Sequence, residues 1–97
     1  MNDNWVTAMV MDSMFAIIAV VHTEEELMMA RMLDNVYRIN YYDADGFYHR
    51  TDGPSTEWPR LRDGVYSYHG KMFYNLVSLK KWANKQAQKR EKGESNE

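Results

Sequence analysis

The sequence predicts an α+β fold, in which a small antiparallel sheet of β-hairpins is packed by one amphipathic helix and followed by a C-terminal basic helix. Three observations predict it. Aromatic stretches at residues 41–55 and 63–73 are divided by glycines that suit tight hairpin turns. A capped segment with helical apolar spacing begins at residue 23, and lysines dominate residues 76–92.

Residues 5–21 are predicted to form the first hairpin. Seven of these seventeen residues are Val, Ile or Thr, whose branched side chains favour strands. Asp12 and Ser13 interrupt the stretch, so we expect strands at residues 5–11 and 14–21. The second strand is apolar on both faces, which predicts a central strand covered on each side. A buried helix is the alternative interpretation.

A helix is expected over residues 24–35. Thr23 and Glu26 have the spacing of a capping box, and acids in the first turn suit the positive end of the helix dipole. Apolar side chains repeat at i, i+3, i+4 and i+7, and this face is predicted to lie on the sheet. Its members are Met29, Met32, Leu33 and Val36.

From residue 36 the apolar period changes to two, as in a strand. Asp43 opens a predicted type I turn closed by Gly46, and residues 47–50 are expected to return as a strand. Residues 51–63 hold both prolines and have no clean period, which predicts a long connecting loop that carries function.

The last third of the chain predicts a hairpin and a helix. Residues 65–68 and 71–77 form the hairpin around a His69-Gly70 turn, and Ser78 caps the final helix. That helix presents one narrow face of Leu79, Trp82, Ala83 and Gln86. We expect a single domain over residues 1–92 and a disordered tail over residues 93–97.

Composition limits the classes of function. The 97 residues include no cysteine, which suits a reducing cytoplasm, and neither a signal peptide nor a membrane segment is expected. The net charge of −2 is uneven, since residues 1–35 have a net charge of −5 and residues 76–97 have +3. Such an uneven distribution of charge steers charged partners or drives self-association, although a solvated helix face is the commoner explanation for it.

No motif indicates catalysis, a metal or a cofactor. Asp43 and Asp45 have the spacing of the first half of a calcium loop, but the later ligands are missing, so a hairpin turn is the preferred interpretation. His22, His49 and His69 have no helical ligand spacing, and a His49 and Asp52 pair lacks a nucleophile to activate. No glycine-rich phosphate loop is present. The sequence therefore predicts a protein that is not an enzyme.

A short motif resembles a known repeat. Residues 46–55, Gly-Phe-Tyr-His-Arg-Thr-Asp-Gly-Pro-Ser, are similar to the "NGK-x-HR-x-DGPA" repeats of bacteriophage and large-virus proteins, which are loosely related to MORN repeats. Residues 68–73 resemble the start of a second unit that then loses the motif. The resemblance implies a phage or mobile-element origin and β-hairpins, and it implies no activity.

Three functions follow as hypotheses. The first is a non-enzymatic protein in the host cytoplasm that binds and inhibits a host protein, such as a restriction or CRISPR defence factor. Its expected contact residues are Tyr48, Arg50, Trp58, Arg60, Arg62, Tyr66 and Tyr68. The second is a single-stranded nucleic-acid-binding protein that stacks bases on these aromatics and contacts phosphates with the basic helix. The third is a structural homodimer or larger homo-oligomer held by its oppositely charged ends and its exposed aromatics.

Overall fold

The computed structural model describes residues 4–91, in which six strands and two helices form an α+β fold. This confirms the predicted fold class. The strands are β1 (Thr7–Met11), β2 (Ile17–Val21), β3 (Arg38–Tyr42), β4 (Thr56–Trp58), β5 (Asp63–Tyr68) and β6 (Lys71–Phe73). The helices are α1 (Glu24–Ala30) and α2 (Leu76–Glu91). The predicted tail at residues 93–97 lies outside the described residues.

All pairings in the sheet are antiparallel, and the strand order is β2-β1-β3-β4-β5-β6. The predicted first hairpin is confirmed as β1 and β2, but its turn is longer than two residues. Asp12 organises that turn, because its Oδ1 accepts hydrogen bonds from the backbone N–H groups of Met14 and Ala16 at 2.9 and 3.0 Å.

The central position predicted for the second strand is wrong, because β2 is an edge of the sheet. β1 uses its other side to pair with β3, so β2 has one neighbour only among the strands of residues 4–91. Ile17 and Val20 are about half exposed as a result. The apolar sequence of a strand does not by itself predict whether the strand has one neighbour or two in the sheet.

The capping box of α1 forms with one change. Thr23 Oγ1 accepts from the Glu26 N–H at 3.1 Å, while Glu26 Oε1 accepts from the N–H of His22 rather than of Thr23. The helix ends at Ala30 instead of residue 35, and the residues it buries are Leu27 and Ala30. The predicted apolar face was therefore wrong for Met29, Met32 and Leu33, which are exposed, and right only for Val36.

The core lies between α1 and one face of strands β1 and β3. The register pairs Ala8 with Tyr41 and Val10 with Ile39, and all four side chains are fully buried. The alternation of a strand then places Glu57 on the same face, since it pairs with Ile39. The rest of the core is Trp5, Val21, Leu27, Ala30 and Val36.

Two predictions between residues 47 and 63 were wrong. The expected returning strand at residues 47–50 makes only one bridge, between Tyr42 and Tyr48. The expected loop at residues 51–63 contains β4, which pairs with β3 on one side and β5 on the other. β4 has only three residues, too few to show a period of two in the sequence.

The last hairpin forms around the predicted turn. His69 and Gly70 have φ values of 48° and 86°, as a two-residue hairpin turn with two positive φ angles requires. The cap of α2 is Asn75 and not Ser78, because Asn75 Oδ1 accepts from the Ser78 N–H at 2.9 Å. The predicted face of α2 is confirmed, with Leu79 fully buried and the others partly buried.

Candidate functional site

Residues 49–54, His-Arg-Thr-Asp-Gly-Pro, form what we call the motif segment. Its first residue, His49, is fully buried and stacks on the ring of His69, with centroids 3.9 Å apart. The Nδ1 atom of His49 accepts a hydrogen bond from the backbone N–H of His69 at 2.8 Å. Since the backbone N–H of His49 donates to the carbonyl of Tyr41 in β3 at 3.0 Å, His49 connects the turn between β5 and β6 to β3.

The second motif residue, Arg50, is also directed inward. Its Nε donates to Asp52 Oδ1 at 2.7 Å, and its guanidinium lies 4.2 Å from the centre of the Tyr41 ring. Gly53 leaves room for this side chain, because a Cβ atom there would lie 2.9 Å from Arg50 Cζ. The proposed pair of His49 and Asp52 does not form, since Asp52 pairs with Arg50 instead.

The motif segment also packs on β5. A Cβ atom at Gly64 would lie 2.6 Å from Pro54 Cβ and 2.9 Å from the backbone oxygen of Thr56. Gly64 therefore allows the proline to lie directly on the strand. The Ser55 N–H and hydroxyl both donate to the carbonyl of Val65, at 2.7 and 3.0 Å. The Pro54 ring and Ser55, the residue that follows the segment, therefore connect it to β5.

Glu57 joins the motif segment to α1. Arg31 binds it with two hydrogen bonds of 2.7 and 2.9 Å, the Tyr41 hydroxyl donates to it at 2.8 Å, and Arg50 Nη1 lies at 3.3 Å. Burial acts to raise the pKa of Glu57, but the hydrogen bonds from Arg31 and Tyr41 and the charges of both arginines outweigh it and lower the pKa. Burial raises the pKa of Tyr41, so its hydroxyl stays protonated as the donor.

The Asp43 turn is closed by hydrogen bonds from backbone N–H groups to the Asp43 carboxylate. Asp43 Oδ1 accepts from the N–H groups of Asp45 and Phe47, both at 2.9 Å, and Oδ2 lies 2.7 Å from His69 Nδ1. Burial acts to raise the pKa of Asp43, but the bonds from His69 and from these backbone groups outweigh it and lower the pKa.

His22 lies elsewhere, beside Thr7 and Val6. Among residues 4–91, no three His, Asp or Glu side chains are grouped to hold a metal ion.

An open cleft of about 560 Å³ lies beside the motif segment, where β4, β5 and the end of β6 meet. We call it the aromatic cleft. Tyr66 and Tyr74 line it together with Pro54, Pro59 and Arg62. Tyr74 is 96% exposed, and the guanidinium of Arg62 makes no hydrogen bond or ion pair within the described part of the chain. These side chains are available to a partner.

Three of the seven predicted contact residues line the aromatic cleft, namely Trp58, Arg62 and Tyr66. Trp58 lies at its rim, because the register places it on the opposite face of the sheet from Tyr66. The guanidinium of Arg38 covers the Trp58 ring at 5.4 Å on that face.

The other four predicted contact residues are not part of this cleft. Arg50 and Tyr68 are inside the fold, and Tyr48 stacks on Tyr42 with ring centres 5.1 Å apart. Arg60 lies outside and donates to the backbone oxygen of Asp34.

Sequence reasoning missed Tyr74, because residues 71–77 were predicted to be one strand, whereas β6 ends at Phe73 and α2 begins at Leu76. Tyr74 directly precedes the α2 cap residue, Asn75, so it falls in the connection between β6 and α2. A large aromatic in such a connection has no core face to occupy.

Comparison with protein-family models, with curated proteins and with solved structures finds no match for this chain. Within residues 4–91, neither helix has the length and apolar character needed to cross a membrane.

Proposed function

We propose that this protein binds another protein through the aromatic cleft and catalyses no reaction. The observation that carries the proposal is that three side chains suited to binding surround one cleft. Tyr74 is almost fully exposed, Tyr66 lies beside it, and the Arg62 guanidinium has no hydrogen-bond or ion-pair partner within residues 4–91. Tyrosine and arginine are enriched where binding energy concentrates in protein interfaces, since both bury large areas when a partner covers them.

The fold itself does not need these side chains. Arg50 and Tyr41 occupy the interior with their hydrogen bonds satisfied, whereas Tyr74 and Arg62 stabilise nothing that the described contacts include. A partner that covers the cleft would bury Tyr74 and Arg62 together, which accounts for two large side chains that the fold leaves in solvent.

The kind of partner is inferred from the motif segment. Its resemblance to phage and large-virus repeats supports an origin in a phage or mobile element, and a host protein as the target in the host cytoplasm. Inhibition of a restriction or CRISPR defence factor is the form of this proposal that suits a small protein acting by occupancy.

The test is an affinity capture from host lysate after nuclease treatment, with the wild type compared with Tyr74→Ala and Arg62→Glu. We expect one host protein to be recovered in a stoichiometric amount by the wild type and lost with both variants. Tyr48→Ala, an aromatic substitution outside the cleft, is the matched control and should retain the captured protein. Equal capture by all four proteins, or recovery of nucleic acid alone, would overturn the proposal.

A second candidate, binding of single-stranded nucleic acid, is favoured by one observation on α2. Lys81 and Lys85 lie beside Trp82 and Phe73 in a surface groove of about 520 Å³, which combines cations with aromatic rings. A gel shift with single-stranded DNA across a salt series tests this function. Binding should weaken steeply with salt and be lost in the Lys81→Glu/Lys85→Glu variant. No binding at low salt would exclude it.

A further inference from the structure

A second apolar surface lies at the other end of the sheet, on α1 and the turn after it. Met28, Met29 and Met32 are 67, 72 and 83% exposed. Single exposed apolar residues are normal on protein surfaces, but three methionines within about one helical turn form a continuous patch. The hydrophobic core explains none of them, since α1 buries Leu27 and Ala30 instead.

These methionines line a groove of about 880 Å³, which we call the methionine groove. Its size is near the upper end of ligand pockets in proteins, roughly 300 to 1,000 Å³. The remaining lining residues are Thr23, Glu25 and Glu26, so the apolar floor has an acidic rim, and none of the described lining residues is basic. The groove therefore combines hydrophobic contact with a negative potential.

Neither α2 nor the sequence of residues 92–97 offers a suitable occupant from the chain itself. The outward face of α2 is basic, but Val77 is the only large apolar side chain that it exposes within the described part of the chain. Residues 92–97, Lys-Gly-Glu-Ser-Asn-Glu, contain no apolar side chain. A second copy docked through the same groove would bring its own Glu25 and Glu26 against those of the first, and like charges repel.

We propose that the methionine groove binds a basic amphipathic helix of a partner protein. Apolar side chains of that helix at positions i, i+3, i+4 and i+7 contact the methionines, and its Lys or Arg residues face the acidic rim. Methionine suits this role because its flexible, polarisable side chain adapts to different apolar shapes. The charge of the rim selects a basic helix over an acidic one.

The probe is a synthetic helical peptide with leucines at amphipathic spacing and lysines at the other positions. Two control peptides are a scrambled sequence of the same composition and a version in which glutamate replaces every lysine. The protein carries ¹³C in the methyl groups of its eight methionines, so that NMR reports where each peptide binds. We expect saturable shifts at Met28, Met29 and Met32, and none at Met72, which is 69% exposed on β6.

Two variants and one control sharpen the test. Met29→Gln removes apolar contact and Glu25→Lys reverses the rim charge, and each should weaken peptide binding roughly tenfold. Both positions are exposed, and Thr23 and Glu26, which cap α1, are left intact. Met72→Gln is the matched control and should bind as the wild type does.

The proposal is overturned by equal binding of the scrambled or acidic peptide, or by the absence of methyl shifts with the basic peptide. Shifts at the same methionines that grow with protein concentration, without peptide, would instead assign the groove to a second copy of this chain. The aromatic cleft plays no part in these measurements, so the two proposals fail separately.

Discussion

The motif segment and the aromatic cleft each contain an arginine and an aspartate and meet at Pro54, yet their arginines have opposite roles. Arg50 of the motif segment contacts Asp52, Glu57 and Tyr41, and its side chain is 12% exposed. Arg62 of the cleft is exposed and makes no side-chain hydrogen bond or ion pair with residues 4–91.

The difference shows how an arginine or a tyrosine becomes part of the fold or part of a binding surface. Arg50 is held because a carboxylate, an aromatic ring and a glycine surround it at fixed positions. Where such neighbours are missing, an arginine side chain stays in water and its N–H groups can bind a partner protein. The conspicuous motif is therefore a structural feature, and the function is proposed for the less conspicuous residues beside it.

The largest difference is expected between the two arginines. Arg50→Ala removes a cation that Asp52 and Glu57 both contact and should lower the free energy of unfolding by about 3 kcal/mol. Arg62→Ala should change it by less than about 0.5 kcal/mol. Urea denaturation followed by circular dichroism measures both. Equal losses for the two variants would contradict the distinction between segment and cleft.

Glycine at position 64 is the next test, because it allows Pro54 to pack on β5. Gly64→Ala places a Cβ atom against Pro54 and the Thr56 carbonyl and should cost about 2 kcal/mol of unfolding free energy. Gly46→Ala is the control, since that position has a φ of 88° but open space around it, and should cost about 1 kcal/mol. The packing argument fails if the Gly46 variant is the less stable of the two.

Acid should weaken the contacts of Glu57, which lines the cleft and also holds Arg50 of the motif segment. The folded-state pKa of Glu57 is lowered, so its stabilising contribution is complete above the unfolded-state value of about 4.3 and is lost as the pH falls through the lower folded-state pKa. The difference in unfolding free energy between the wild type and Glu57→Gln should therefore shrink in acid. Asp63→Asn removes a carboxylate that, within residues 4–91, accepts only from the Gly64 N–H, and as the control it should cost less than about 1 kcal/mol of unfolding free energy at neutral pH. A Glu57 difference that stays constant from neutral to acidic pH would contradict this linkage.

The smallest effects are expected for two hydroxyl deletions. Tyr41→Phe removes an oxygen that accepts from Arg31 and donates to Glu57, and should cost about 1 kcal/mol of unfolding free energy. Tyr74→Phe removes a hydroxyl at an exposed position and should change stability by less than about 0.5 kcal/mol. Thermal unfolding of the two variants side by side gives the comparison, and a larger loss at Tyr74 would show that the cleft belongs to the fold.

Much of the local structure could be predicted from the sequence. The Thr23 cap, the Asp43 turn, the His69-Gly70 turn and the buried face of α2 depend on residues only a few positions apart, and each formed. The fold class followed from these signals, because turns and caps divide the chain into strands and helices. The three candidate residues that do line the cleft were chosen for their type alone.

Tertiary structure decided which side chains are inside. Arg31 and Glu57 are 26 residues apart and His49 and His69 are 20 apart, so no local pattern predicts that they meet. For the same reason the sequence did not predict β4 or the edge position of β2, since the neighbours of a strand depend on pairing across the whole chain. The sequence by itself determined where the chain turns and what kinds of surface it carries. Only long-range packing decided that Tyr68 is buried and the Arg50 side chain largely so, while Arg62 and Tyr74 face solvent, because burial depends on which distant segments cover a side chain.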